Sequence, residues 1–358
     1  MSIQYSKIAV IRIDKAGDLL LTTPALRVIK EQFPDSKTYL IASKQNSKVL
    51  INSELVDKII VYDKNISFIK KLKLLIKIRK EKFDLCLVFS PINAAYYFCY
   101  LSKSKTKGVI IFTSRYKKIF NNLSYRFIPQ IISPFFTNTI LKVKRYKKIV
   151  DHHSISMIKL LKMVGIRTKK NIFGIEINFD KNLTKQIANK YRTKYKNIIL
   201  IHLSTRWLNN NYNIIDLIDL IKKINNIKKT KIIFTTDNSD NYIKYEISKE
   251  LKIKKIRLKN FLNHKSINQK MLIFDHLNFE NLKNLINSSN IIITPHTSVT
   301  HIAAGANKII FDIHNINNDA NKMFQEYGPI FSKFEFFKFD KRKKLNKLII
   351  DKIKKYLY

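Results

Sequence analysis

The stretch Ile8–Leu26, IAVIRIDKAGDLLLTTPAL, constrains the fold more than any other part of the chain. An apolar run from Ile8 to Ile13 stops at a polar turn, Asp14-Lys15-Ala16-Gly17-Asp18. An apolar-periodic helix pattern follows, opening near Leu19 and continuing through Ala25, Leu26 and Ile29. Strand, tight loop and helix in that order put the Asp18 carboxylate at the mouth of a sheet, beside a helix N-terminus. Ligands of open α/β sheets bind at that place. A carboxylate there either accepts a proton from a nucleophile or caps the helix. The residues alone leave both readings open.

The unit recurs. Strand patterns at Lys7–Arg12, Lys37–Ala42, Lys58–Tyr62, Leu85–Phe89 and Gly108–Phe112 alternate with helical patterns near Leu19–Gln32, Ser43–Asn52, Ile66–Glu81 and Ala94–Ser102. Near-continuous apolar strands separated by helices specify an α/β fold with a parallel, doubly wound sheet. Residues Tyr116–Lys147 are basic and irregular, carry Pro129 and Pro134, and read as a flexible loop. A helix opens at Asp151-His152-His153 and ends at Gly165. Adjacent histidines diverge on a helix and no third ligand is spaced to join them, so this pair is not a metal site. Phe179–Lys196 reads as a helix plus linker.

A second series then begins. Its strands are Ile198–His202, Lys231–Thr235, Asn290–Thr294 and Lys308–Asp312, with helices near Asn213–Ile224, Asn241–Leu251, Phe279–Asn287 and Val299–Ala304. A chain of 358 residues suits about two domains. The expected division is 1–178, a linker at 179–196, and 197–340, with a cleft between two Rossmann-like halves. Residues 341–358 form a basic amphipathic helix. It is expected to pack back on the first domain; the other reading lays its Lys face on anionic lipid.

The formal net charge is +42, from 68 Lys+Arg against 26 Asp+Glu. Such a field attracts nucleic acid, anionic membrane or phosphorylated substrates. Lys, Ile and Asn dominate even featureless stretches, so compositional drift supplies much of the excess. Cys86 and Cys99 sit in apolar surroundings with no disulfide or metal spacing, which suits a reducing cytosol. The N-terminus enters a strand directly, so no signal peptide is expected. No uncharged run reaches about 18 residues. With 6 Gly, and neither a Walker loop nor GxGxxG, P-loop and dinucleotide chemistry are not expected.

Four stretches, in order, resemble glycosyltransferase family 9, the lipopolysaccharide heptosyltransferases and their relatives. They are Ile11–Ile41; Lys82–Pro91 with Val56–Lys64 before it; Ile201–Ile221; and Asn278–Phe311, which contains NIIITPHTSVTHIAAGANKIIF. The resemblance implies GT-B architecture, two Rossmann-like domains facing across a cleft. It implies transfer of a sugar from a nucleotide-diphosphate donor, ADP-heptose or another, to a glycolipid hydroxyl. It implies inversion, no metal and no cofactor. The donor is expected on the second domain and the acceptor on the first, in the cytoplasm and peripherally on the inner face of the cytoplasmic membrane.

Asp18 occupies the position of the family's catalytic base. Gly17 keeps the turn free of a side chain. Thr22 and Thr23 either contact substrate or hydrogen-bond locally. Thr297-Ser298-Val299-Thr300-His301 starts a helix just after a strand. Its N–H groups can bind a diphosphate, or its hydroxyls can serve as an ordinary N-cap. His301 matches a family histidine that touches the diphosphate or braces the turn. Ser204 and Thr205 look like the family's donor-phosphate contacts. Arg206 is placed to neutralise the leaving group, and Trp207 to anchor packing.

Departures stand beside these matches. The family usually has Asp at the position of His296 and Gly at that of Ser298. Many members carry a cation in the turn Asn209–Asn211. Asp237 and Asp240 fall where the family has an acidic group near the ribose, or are surface residues. The alternative is therefore a catalytically weak or inactive relative that binds nucleotide or glycan. A nucleic-acid-binding protein rests on charge alone, without a recognised module, and no nucleic-acid partner is expected.

Overall fold

The computed structural model describes residues 4–112, 128–143, 151–167, 174–192, 194–209, 212–236, 241–264, 269–315, 320–339 and 342–358. The chain forms two compact units. One is Met1–Asn178 with Gln325–Gly328; the other is Phe179–Phe324 with Pro329–Tyr358.

The first unit holds strands β1 (Lys7–Arg12), β2 (Lys37–Ser43), β3 (Lys58–Tyr62), β4 (Leu85–Val88), β5 (Thr106–Phe112) and β6 (Thr139–Val143). They pair in the order β3-β2-β1-β4-β5-β6, every pair parallel. This is the Rossmann order. Both faces are covered, which explains why the strands are apolar throughout. The region read as a flexible loop contributes an element the periodicity hides. Its helix Ile128–Phe136 carries Pro134 inside it, and β6 follows.

The helix expected over Leu19–Gln32 is two helices, α1 (Ala16–Leu20) and α2 (Thr23–Gln32). Pro24 lies in the first turn of α2, where its missing N–H costs nothing, and the chain breaks at Leu21-Thr22. Gly17 and Asp18 therefore sit inside α1 and not in an open turn, and Gly17 is buried. Further helices are α3 (Phe68–Lys80), α4 (Asn93–Tyr100), α5 (Ile128–Phe136) and α6 (His153–Met163). Gly165, at φ 86°, ends the last of these turns in the left-handed conformation typical after a helix C-terminus.

The second unit opens with α7 (Lys181–Arg192), which occupies most of the stretch read as linker. Strands β7 (Asn197–Leu203), β8 (Thr230–Thr236), β9 (Lys254–Arg257), β10 (Met271–Asp275), β11 (Ile291–Thr294), β12 (Ile309–Asn315) and β13 (Phe334–Phe339) follow. Their order is β13-β12-β11-β7-β8-β10-β9, all parallel. The helices are α8 (Arg206–Asn209), α9 (Ile214–Asn225), α10 (Asn241–Glu250), α11 (Leu258–Asn263), α12 (Phe279–Ser288), α13 (Ser298–Gly305), α14 (Ala320–Tyr327), whose last turn from Gln325 is counted with the first unit, and α15 (Arg342–Leu357). Trp207 is fully buried and its indole N–H donates to the His202 carbonyl at 2.8 Å.

The C-terminal helix corrects an expectation. It belongs to the second unit, where α15 lies on α9 and β13. Leu345, Ile349 and Ile353 enter that unit's core. Asn346 donates to the Asp216 carbonyl at 3.0 Å and to Asp219 Oδ2 at 2.7 Å, while Lys352 and Tyr356 both reach Glu335. The apolar stripe opposite the lysines is satisfied by α9, so burial keeps the helix there.

Candidate functional site

The first strand of each unit lies between the two directions in which its sheet grows, so strand order switches between β1 and β4 in the first unit and between β7 and β11 in the second. A crevice opens there at the carboxyl ends of the strands. The candidate residues divide between these two mouths.

In the first mouth Arg12, at the end of β1, is fully buried. Its Nη1 donates to the Phe89 carbonyl just past β4. Its Nε lies 2.9 Å from Asp14 Oδ1 and its Nη2 lies 3.2 Å from Asp18 Oδ1. One guanidinium thus holds two carboxylates. The Asp18 side chain is 25% exposed, so it faces the crevice while its charge is balanced from behind. Asp18 makes no side-chain cap to α1; its position in the first turn still suits the helix dipole. Burial is the main force pushing Asp14 up to about 7, against the pull of Arg12 and with help from the Asp18 charge.

Thr22 and Thr23 are fully buried. Thr22 Oγ1 donates to the Asp18 carbonyl at 2.9 Å and Thr23 Oγ1 to the Leu20 carbonyl at 2.8 Å. Thr23 Oγ1 also accepts from the Glu176 N–H at 2.9 Å. Both hydroxyls donate within the turn and brace the α1–α2 break, and Thr23 also ties it to the Glu176 backbone.

In the second mouth Arg206, just past β7, donates from Nη1 to the His296 carbonyl just past β11. Ser204 is buried, and its hydroxyl accepts from the Arg206 N–H at 3.4 Å. Thr205 is exposed. Thr297 is the N-cap of α13. Its Oγ1 accepts from the Val299 N–H at 3.2 Å, and Thr300 Oγ1 accepts from the Thr297 N–H at 3.2 Å, a capping box. Thr297 and Ser298 are partly exposed, whereas Val299, Thr300 and His301 are buried. The N-cap reading of this turn therefore holds in the structure, and a phosphate would compete with the Thr297 hydroxyl for the Val299 N–H.

His296 adopts φ 52°, a left-handed conformation that histidine tolerates better than most residues. Its Nδ1 lies 2.8 Å from Asp312 Oδ2, and His314 Nε2 lies 2.8 Å from the same oxygen. Thr300 Oγ1 donates to Asp312 Oδ1 at 3.3 Å. His301 meets His296 edge to face at 5.7 Å. Burial pushes the Asp312 carboxyl up, but His296 and then His314 overcome it and hold the group well below the usual range. Asp312 and His314 stand two apart on β12, so both point to the same face. Among the described residues these three form the group able to offer metal ligands, their ligand atoms lying within 4.8 Å of one another. Two imidazoles and a carboxylate suit a borderline ion such as Zn2+ better than Mg2+ or Ca2+. Both imidazoles and the Thr300 hydroxyl already bond to the Asp312 carboxylate without an ion.

Arg12, Asp14, Asp312 and His314 carry no motif that singles them out. The available signals are a lone cation ending an apolar strand and the alternation Asp-Ile-His on β12. Asn210, Asn211, Asp237 and Asp240 lie outside the described residues, as does the side chain of Asn209.

No protein-family model matches the chain, and no curated protein matches its sequence. Solved structures do. The glycosyl transferase family 9 protein from Veillonella parvula is 16% identical at a TM-score of 0.72, covering 98% of this chain and 92% of that one. E. coli ADP-heptose lps heptosyltransferase II is 12% identical at 0.71, covering 98% of each. The chain has the GT-B fold. Another GT-B neighbour, E. coli heptosyltransferase WaaC with ADP-2-deoxy-2-fluoro heptose, is 10% identical at 0.66, again covering 98% of each chain. At such identities the likeness fixes the GT-B framework, and the chemistry has to be argued from the two mouths.

Proposed function

We propose that the chain is an inverting, metal-independent glycosyltransferase. It moves a heptose or related sugar from a nucleotide-diphosphate donor to a lipopolysaccharide-type glycolipid, in the cytoplasm at the inner face of the membrane. The acceptor oxygen attacks the anomeric carbon as Asp18 takes its proton. The bond to the diphosphate breaks on the opposite face and the diphosphate leaves with the electron pair. Its charge is held by the Ser298 N–H, by the Val299 N–H once the phosphate displaces the Thr297 hydroxyl, and by Arg206. The observation that carries this reading is Asp18 itself, a partly exposed carboxylate at a switch-point mouth with a buried guanidinium behind it. A second reading, binding without turnover, is favoured by His296, whose imidazole is tied to Asp312 where the family has an acid.

The test is nucleotide-dependent thermal stabilisation. A ligand that binds only the native state raises the melting temperature. ADP comes first, because a solved GT-B neighbour holds an ADP-sugar analogue; UDP, GDP, CMP and TDP follow. Wild type and Asp18→Asn should be stabilised alike, and Thr297→Ala/Ser298→Ala should not. No stabilisation by any nucleotide would remove the donor half of the proposal. Stabilisation without transfer would leave the binding-only relative.

A further inference from the structure

One face of the first sheet is covered by α3, α4 and α5. The alternating strand residues Ala9, Ile11, Tyr39, Ile41, Val88 and Ile111 share a core with Ile78 of α3 and Tyr96 of α4, and Leu74, Leu75 and Ile132 pack against it. With that inner face filled, the outer side of these helices should be polar. It is not. Phe68 is 79% exposed and Ile69 65%, with Leu72 and Ile76 also exposed. At about 100° per residue these four make one stripe, beside a second stripe of exposed Lys70, Lys73, Lys77 and Lys80. On the same cover, α4 exposes Tyr97 and α5 exposes Phe135 at 83%. The opposite face differs: among the described residues α2 exposes no large apolar side chain and α6 exposes Met163 alone.

We propose that this outer face of the first unit docks on an anionic lipid bilayer, with Phe68, Leu72, Ile76 and Phe135 entering the acyl boundary and the α3 lysines meeting phosphate headgroups. Aromatic and aliphatic side chains beside a lysine row form the pattern of an in-plane interfacial helix. Anionic lipid complements the lysine row, whereas a protein partner would need an acidic surface of matching shape. Among the described residues no helix is long and apolar enough to cross a membrane, so the contact is peripheral. This assigns the surface for a membrane-acting enzyme, yet its test does not depend on catalysis.

The experiment is cosedimentation of the full chain with vesicles of phosphatidylcholine alone or mixed with phosphatidylglycerol. Neither contains a glycolipid, so binding reports the face and not the acceptor site. Wild type should favour the anionic vesicles at least tenfold. A lysine near the surface contributes roughly fivefold, so Lys70/Lys73/Lys77/Lys80→Gln should lose tenfold or more. Phe68→Ser/Leu72→Ser/Ile76→Ser, exposed positions that leave the core intact, should also lose about tenfold or more. Phe135→Ser provides a second apolar arm on another helix. Lys252/Lys254/Lys354/Lys355→Gln, equal in charge but on the second unit, should bind as wild type. The proposal is overturned if that control loses as much as the α3 variant, if the apolar variants bind normally, or if wild type is a dimer that ignores vesicles. Transfer to a water-soluble acceptor fragment should survive in every face variant; its absence from wild type as well would count against the catalytic reading and not against this face.

Discussion

In the first unit Arg12 reaches from the end of β1 to the Phe89 carbonyl beyond β4; in the second Arg206 reaches from beyond β7 to the His296 carbonyl beyond β11. Both guanidiniums span the switch point of a parallel sheet and satisfy a carbonyl that the strand order leaves there. The surroundings differ. Arg12 is fully buried between Asp14 and Asp18, whereas Arg206 is partly exposed beside hydroxyls and a helix N-terminus. One backbone device thus yields a mouth that can take a proton and a mouth that can hold an anion.

The widest separation between the mouths should come from Asp18→Asn. Removing a general base costs about 10²–10⁴ in rate, so turnover should fall that far while nucleotide-induced stabilisation is unchanged. Equal loss of both would break the division of labour. Next is Arg12→Met, which leaves the Asp18 carboxylate without its buried partner and removes the cation beside Asp14. Urea unfolding should show a loss of about 3–5 kcal/mol, enough to threaten folding, so Arg12→Lys serves as the milder variant. Arg206→Ala is the counterpart. A partly exposed cation contributes little to folding, within about 1 kcal/mol, but its loss should weaken nucleotide binding about tenfold, a difference near 1.4 kcal/mol. Isothermal titration separates the two arginines.

The smallest effect is a pH slope. Asp14 holds its proton to about 7 in the native state and only to the ordinary carboxylate range when unfolded. The native state therefore binds more protons between those limits. This stability is complete below the unfolded value and is lost as pH climbs to about 7. Asp14→Asn should remove the slope, read as the difference between wild-type and variant melting temperatures across that range. A slope retained in the variant would assign it elsewhere.

Most of the central strands are legible because parallel sheets covered on both faces leave long apolar runs. One apolar run, Met-Leu-Ile-Phe of β10, also went unassigned; the other elements that escaped have a diluted pattern. In β9, Lys-Lys-Ile-Arg has one buried side chain. The segment holding α5 and β6 is interrupted by Pro134. In β13, Phe-Glu-Phe-Phe-Lys-Phe breaks alternation at Phe336-Phe337 and puts one charge on each face. The break between α1 and α2 follows from Pro24, while Asp18 is helical because α1 already starts at Ala16. At the sites, Asp18 and the Thr297–Thr300 turn stand out because strand, turn and helix are contiguous in sequence. Arg12 and Asp14 are near Asp18 in sequence, but the Phe89 carbonyl that fixes the guanidinium arrives only with β4 beside β1. The His296–Asp312–His314 cluster likewise requires β12 to lie beside β11, a neighbour relation no local pattern encodes.

The burial of Arg12 has a consequence for how the chain would respond to its medium. Mobile ions weaken charges that water can reach, over about 8 Å at physiological ionic strength. They would thin the attraction of the α3 lysines for a surface and of Arg206 for a phosphate. They cannot surround Arg12, so the cation behind Asp18 keeps its strength in brine and in dilute buffer alike. If Asp18 acts as proposed, ionic strength would change how often substrates arrive more than it changes the Arg12 side of that carboxylate.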